Sequence, residues 1–153
     1  STGEKAILLE DFRWRKSQIK ATSLLSNVIY RSAAKDKGVF ETILFENGFI
    51  TEGAVSNVFC CTDNKIITPP LSENILPGIT RKVILEVIQD ISLDYEESKI
   101  PIESFLEAKE IWVTNSTKGI IPIIDLDGKK IGSGKPDEKY LKVSEAFLAK
   151  LLD

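Results

Sequence analysis

Along the 153-residue chain, apolar residues fall mostly in short runs bounded by Gly, Pro, Asn and Asp, and in three stretches they recur every three or four positions instead. Short runs predict strands and the longer period predicts helices, so the pattern reads as an α/β chain. Lys5 to Glu10 carries Ala6, Ile7, Leu8 and Leu9 and predicts a short buried strand. After the mixed, charged segment from Asp11 to Gln18 come Ile19, Lys20 and Ala21, then a helical pattern at Leu24, Leu25, Val28, Ile29 and Ala33. Thr22 or Ser23 is the expected N-cap and Gly38 the stop.

The next segments predict hairpins. Val39 to Phe45 and Phe49 to Thr51 are joined through Glu46-Asn47-Gly48, and Asn-Gly favours a tight two-residue turn. Asn57 to Thr62 and Lys65 to Thr68 flank Asp63-Asn64 and end at Pro69-Pro70. After a loop from Leu71 to Pro77, Gly78-Ile79-Thr80 opens a helix with apolar residues at Ile79, Val83, Val87 and Ile91, widened by Ile84 and Ile88. Leu93 to Lys99 reads as a strand, and Pro101 to Ala108 as a short helix with Pro in its first turn. Glu110 to Thr114 is a strand, Gly119 to Leu126 and Lys129 to Gly132 a hairpin about Asp127-Gly128, and Pro136 to Leu152 a closing helix. That last helix carries Tyr140, Val143, Ala146, Phe147 and Leu151.

Composition narrows the function. With 42% hydrophobic and 28% charged residues the chain is a globular domain of ordinary size. A net charge of −3 offers no basic field for nucleic acid or an anionic membrane. No apolar run approaches the roughly 18 residues of a membrane span, and the first residues lack signal-peptide character, so the expectation is a cytoplasmic protein acting on small molecules. There is no His, and the two Cys, Cys60 and Cys61, are adjacent in a predicted strand with side chains on opposite faces. They are expected as reduced core thiols, with no metal site. Acid and base work falls to Lys, Glu, Asp or Tyr.

Gly48 to Phe59 concentrates the candidate chemistry. It delivers Glu52 to a strand end beside Gly53, where the chain can approach a ligand closely, and then supplies Ser56 and Asn57 before the next strand. The residue type alone favours a solvated Glu beside a turn. The helix start at Ile79 and Thr80 suits an anion such as phosphate, and it equally suits plain capping by Thr80. Asn115-Ser116-Thr117 at a strand end could add phosphate contacts, although such clusters usually mark turns. Sixteen lysines are present, and spacing alone does not single out Lys20.

The ordered set of these pieces resembles the class IV (fold type IV) pyridoxal-phosphate aminotransferases, most closely the D-amino acid (D-alanine) aminotransferase branch. The resemblance rests on Arg13-Trp14 leading to Ile19-Lys20, on Leu24-Leu25 with Asn27-Val28, and on Thr51-Glu52-Gly53 with Ser56-Asn57-Val58-Phe59. It continues through Thr68-Pro69-Pro70, Ile75-Leu76-Pro77-Gly78-Ile79-Thr80-Arg81, Pro122, Leu126-Asp127-Gly128, Ile131-Gly132, Gly134 and Pro136. It implies a C-terminal pseudo-barrel domain of the D-amino acid aminotransferase-like fold, a mixed sheet with surrounding helices. By resemblance, Lys20 forms the Schiff base with pyridoxal 5'-phosphate and then shuttles the proton, a role suited to a Lys partly desolvated by Ile19 and Ala21. Glu52 is implied as partner of the pyridine nitrogen, and Ile79, Thr80, Ser116 and Ser56 as holders of the phosphate.

The implied reaction is transamination between a D-amino acid and a 2-oxo acid in a homodimer. Leu25 and Ala54-Val55-Ser56-Asn57 depart from the branched-chain aminotransferase pattern. Val55-Ser56-Asn57 and Thr114-Asn115-Ser116 also look like 4-amino-4-deoxychorismate lyases, and Lys118-Gly119 is unexpected in an aminotransferase. The alternatives are therefore that lyase, then a branched-chain aminotransferase, then a non-catalytic ligand-binding or oligomerisation domain. Family members carry an N-terminal domain that closes the cofactor site. Residues 1–153 are accordingly expected to be the C-terminal cofactor-binding domain, with the N-terminal domain absent from this chain and the fragment alone inactive.

Overall fold

The computed structural model describes residues 2–152. In chain order the elements are β1 (Glu4–Glu10), α1 (Leu25–Asp36), β2 (Glu41–Glu46), β3 (Phe49–Gly53), β4 (Asn57–Cys61), β5 (Ile66–Thr68), α2 (Ile79–Asp90), β6 (Tyr95–Glu97), α3 (Ile102–Leu106), β7 (Glu110–Asn115), β8 (Gly119–Leu126), β9 (Lys129–Lys130) and α4 (Glu138–Lys150). Among the described residues nine strands form one mixed sheet in the order β3-β2-β1-β8-β7-β4-β5-β6, with β9 on β8. β1 runs parallel to β2 and β8, and β5 to β6, while the other pairs are antiparallel. Parallel neighbours need a crossover, and α1 provides the one between β1 and β2.

The sheet curls until its two edges meet. Edge strand β3 bonds the segment that follows the opposite edge strand β6: Ile50 N–H donates to the Ile100 carbonyl at 2.9 Å and Ile102 N–H to the Gly48 carbonyl at 3.0 Å. A bridge from Phe49 to Pro101 completes the contact. This closure gives the expected pseudo-barrel and hides an edge that would otherwise present free backbone groups. The hairpin turn is as its residues predict, with Asn47 and Gly48 both at positive φ (51° and 81°).

Both faces of the sheet centre are buried, which is why β4 and β7 read as nearly continuous apolar runs. Val58 and Cys60 of β4 and Ile111 and Val113 of β7 point into the barrel core with Ala6, Ile43, Ile50 and Ile123. Phe59, Cys61 and Trp112 point the other way, against Ile84, Val87 and Ile88 of α2 and Tyr140, Val143 and Phe147 of α4. The adjacent cysteines are thus free, buried, and in different cores. Burial pushes the Cys60 thiol up to about 12 and raises that of Cys61 as well.

The helices differ from expectation in rotation and capping. Leu24, rather than Thr22 or Ser23, is the N-cap of α1, with no side-chain cap bond. Its buried residues are Tyr30 and Ala34, which pack on β2, so the apolar set Leu24, Leu25, Val28 and Ile29 lies exposed. In α2 the buried face is Thr80, Arg81, Ile84, Val87 and Ile88, while Ile79 is exposed and Thr80 makes no cap bond at the Gly78 N-cap. Leu151 at the end of α4 is exposed too. A 3.6-residue stripe locates an apolar face but not what covers it. No helix of the described residues is long and apolar enough to cross a membrane.

Candidate active site

β3 ends at Gly53, and Glu52 just before it is buried against β4 and the loop leading to α2. One carboxylate oxygen accepts from Arg13 Nη1 at 2.6 Å, the other from Asn57 Nδ2 at 3.1 Å and from the Leu76 N–H at 3.0 Å. Burial pushes the Glu52 pKa up to about 7, against the pull of the Arg13 charge and hydrogen bond and of the Leu76 N–H.

Arg13 is itself enclosed. Its Nε and Nη2 donate to the two oxygens of Asp11 at 2.9 and 2.7 Å, and Nη2 also to the Asn74 carbonyl at 3.0 Å. Thr51 Oγ1 donates to Asp11 at 3.0 Å. Burial works against the Arg13 charge, yet the bonds and fields of Asp11 and Glu52 raise its pKa above the ordinary value. The segment from Asp11 to Gln18, which reads as merely charged in sequence, thus contains a buried ion pair.

The turn between β3 and β4 is held by a second buried acid. Ser56 donates its hydroxyl to Glu41 Oε2 at 2.8 Å, and Glu41 also accepts the Thr42 N–H at 2.9 Å. Burial raises the Glu41 pKa. A Cβ on Gly53 would sit 2.1 Å from Ser56 Oγ, so any larger residue there must displace Ser56. The Ser56 hydroxyl proton is therefore engaged inside the turn.

The start of α2 faces the same space. Gly78 packs so tightly on Asn57 that a Cβ would come within 2.2 Å of its side-chain oxygen. Asn57 lies opposite Thr114 in the β4·β7 ladder. Thr114 Oγ1 is buried without a hydrogen-bond partner among the described residues. Asn115 Oδ1 accepts from Thr117 N–H, Thr117 Oγ1 and Lys118 N–H, so the polar cluster is a turn as well as a wall of the cleft.

Lys20, Glu52, Ser56, Ile79, Thr80 and Ser116 all line one cleft of about 290 Å³. Lys20 and Glu52 also line an adjoining cleft of about 170 Å³ that reaches Arg13 and Trp14. Lys20 is exposed, and the neighbouring Ile19 is exposed as well, so these neighbours do not supply the desolvation expected of them. Asp11, Arg13, Glu41, Asn57 and Thr114 escaped the sequence reading as site residues. Arg13 and Asn57 stand in the motifs of the aminotransferase resemblance and Thr114 in the lyase-like Thr114-Asn115-Ser116, whereas the burial of Asp11 and Glu41 depends on contacts distant in sequence and leaves no local signal.

The arrangement suits pyridoxal phosphate. It has an amine, a buried carboxylate for a pyridinium nitrogen, helix N–H groups for a phosphate, and the unsatisfied Thr114 hydroxyl in the same cleft.

Comparison with known proteins points the same way. The profile of the amino-transferase class IV family matches residues 5–126, from β1 through β8. A D-alanine aminotransferase of Bacillus licheniformis is 37% identical over 98% of this chain and 53% of its own length. One from Staphylococcus haemolyticus is 34% identical over 95% of this chain and 51% of its own. The structure of a branched-chain amino acid aminotransferase from Escherichia coli superposes with a TM-score of 0.88 at 28% identity, covering 96% of this chain and 52% of that one. A branched-chain aminotransferase from Thermoproteus uzoniensis gives 0.88 at 26% identity, covering 99% and 52%. The chain thus spans about half the length of the curated relatives it matches. With the family profile laid over β1 through β8 and the fold shared with family structures over nearly its whole length, the chain belongs to the class IV aminotransferases.

Proposed function

We propose that the protein is a pyridoxal-phosphate-dependent aminotransferase that moves an amino group between a D-amino acid and a 2-oxo acid. The observation that carries this is the meeting of Lys20 and Glu52 in one cleft with the start of α2 and the unsatisfied Thr114 hydroxyl. When bound, pyridoxal phosphate supplies an electron sink that stabilises negative charge at a substrate α-carbon. Lys20 is the amine that carries the cofactor and moves the proton at that carbon. Glu52, ionised, keeps a proton on the pyridine nitrogen. The backbone N–H groups at Ile79 and Thr80, with Thr114 and Ser116, bind and orient the phosphate, and Glu41 holds Ser56 in place beside them.

The exposed apolar side chains of Phe12, Trp14, Ile19, Leu24 and Leu25 support a further proposal: residues 1–153 act as the C-terminal cofactor-binding domain, and an N-terminal domain covers this face in a homodimeric, cytoplasmic enzyme. Such a cover would exclude water from Lys20.

Borohydride reduction of the cofactor-loaded intact protein, followed by peptide mapping, tests the assignment. The label is expected on Lys20, and a label on another lysine overturns it. The donor is tested with D-alanine and 2-oxoglutarate, which should give glutamate. The likeness to branched-chain aminotransferase structures favours a second reading, in which L-valine outcompetes D-alanine as donor. Release of pyruvate and 4-aminobenzoate from aminodeoxychorismate without amino transfer would make the protein a lyase.

A further inference from the structure

We infer that Arg13, fixed by Asp11, is a positioning residue that holds Glu52 as an oriented carboxylate toward the cleft and so controls how tightly the cofactor ring is bound; this rests on the proposed role of Glu52. The geometry carries the inference. The Arg13 side chain is 3% exposed and the Glu52 side chain 5%, so their 2.6 Å contact is shielded from water and from salt. Asp11 engages the guanidinium through Nε and Nη2, a two-pronged contact that leaves Nη1 aimed at Glu52. The Asp11 oxygen that takes Nη2 also accepts from Thr51, the residue next to Glu52 in β3, and Nη2 is tied to the Asn74 carbonyl in the loop ahead of α2. Arg13 therefore joins three pieces of the site: the arm that follows β1 and carries Lys20, the strand that carries Glu52 and the loop that leads to the phosphate end.

The charges that bear on Glu52 are few. Arg13 and Asp11 come from the arm, with the positive one closer, and Lys20 lines the same two clefts. Asn57 from β4 and the Leu76 N–H contribute dipoles only. In this surrounding burial holds the Glu52 pKa up, at about 7, against the pull of Arg13. A protonated carboxyl cannot pair with a pyridinium. Removing the Arg13 cation takes away the strongest force that favours the carboxylate, so the ionised form should appear only at higher pH.

The test is the pH dependence of pyridoxal phosphate binding by the intact protein, followed by quenching of tryptophan fluorescence. Wild type is compared with Arg13→Met, Arg13→Lys, Asp11→Asn, Glu52→Gln and the Arg13→Met/Glu52→Gln double variant. At pH 7, Arg13→Met should bind roughly tenfold to a hundredfold more weakly, the range of a hydrogen bond to a charged group. The loss should shrink as pH rises. Arg13→Lys should recover part of the affinity, and Asp11→Asn should shift the profile in the same direction by less. In the Glu52→Gln background, Arg13→Met should cost nothing more, because its partner is gone.

Isotope-edited infrared spectra of the Glu52 carboxyl, without cofactor, should show the protonated form persisting to higher pH in Arg13→Met. Should Arg13→Met not fold, Asp11→Asn carries the same comparison. Unchanged pH profiles in the folded Arg13 and Asp11 variants, with Glu52→Gln still weakened, would overturn the role of Arg13 and leave that of Glu52 standing. A Glu52→Gln variant that binds as tightly as wild type at every pH would instead overturn the reading of Glu52. An equal loss at every pH in Arg13→Met, with no rescue by Lys, would make Arg13 a structural residue only.

Discussion

The cleft has one wall of buried polar groups and one of exposed apolar side chains. The first is built by β3, β4, β7 and the start of α2. There Glu52, Asn57 and Thr114 are at most 6% exposed, and Gly53 against Ser56 and Gly78 against Asn57 leave no room for a Cβ. The second is the arm from residue 12 to residue 25, where Phe12, Trp14, Ile19, Leu24 and Leu25 are 50% to 76% exposed and Lys20 is exposed with them. The root of the arm, at Asp11 and Arg13, is tied to Thr51 and Glu52 of the first wall, and farther along Gln18 N–H donates to the Glu73 carbonyl in the loop ahead of α2. The contrast separates two tasks. Under the proposed function, the groups that would hold charge on a ring and a phosphate are preorganised within this chain. The proposed catalytic amine of Lys20, which would have to lose its water to act as nucleophile and base, is exposed to it.

The largest expected effect tests that division directly. The 153-residue chain by itself should bind pyridoxal phosphate weakly and turn over D-alanine and 2-oxoglutarate at least about 10⁵-fold more slowly than the intact enzyme, since orientation alone can be worth on the order of 7 kcal/mol. Comparable kcat/KM values for the two would mean that the exposed wall needs no cover.

Next in size is the cost of a cavity beneath the finished wall. Ile88 of α2 is fully buried between α4 and the sheet, so Ile88→Ala should lower the unfolding free energy by about 2–5 kcal/mol in denaturant titrations. A smaller loss, below about 1 kcal/mol, would mean that the α2·α4 layer is loosely packed and that the wall is not rigid. A Cβ at Gly53 should cost about 1–3 kcal/mol, because Ser56 must move away from Glu41 to admit it. The affinity for pyridoxal phosphate should fall with it.

The two walls were not equally legible in the sequence. Strands, hairpins and the order of elements follow from short apolar runs and from Asn-Gly and Asp-Gly turns, which are local signals. Lys20 and Glu52 emerged through the ordered motifs around them. The environments of Glu52 and Ser56 come from contacts across 39 residues of chain to Arg13 and 15 to Glu41, which a local apolar pattern does not report. A buried ion pair and a solvated one have the same letters. The helices show the converse limit. α1 and α2 carry similar apolar stripes, yet α2 buries Ile84, Val87 and Ile88 while α1 leaves Leu25, Val28 and Ile29 in water. Periodicity reports that a face is meant to be covered and not by which part of a protein.

That last difference yields the smallest effect and the cleanest separation of the two regions. Leu25 and Val28 are 76% and 59% exposed on α1, so replacing either by Gln removes little buried area and keeps helix propensity nearly constant or improves it. In the chain alone Leu25→Gln and Val28→Gln should therefore change the unfolding free energy by no more than about 0.5 kcal/mol, while lowering the binding of a hydrophobic dye such as ANS. In the intact protein, where the proposed N-terminal domain covers this face, burying a Leu side chain is worth about 1.5–3 kcal/mol, and the same Leu25→Gln change should cost a substantial share of that. The informative quantity is the difference between the two contexts, because helix propensity and unfolded-state effects within α1 are common to both and largely cancel. If Leu25→Gln is equally mild in both, nothing covers α1, the exposed wall is a true surface, and the desolvation of Lys20 must come from the bound cofactor and substrate themselves.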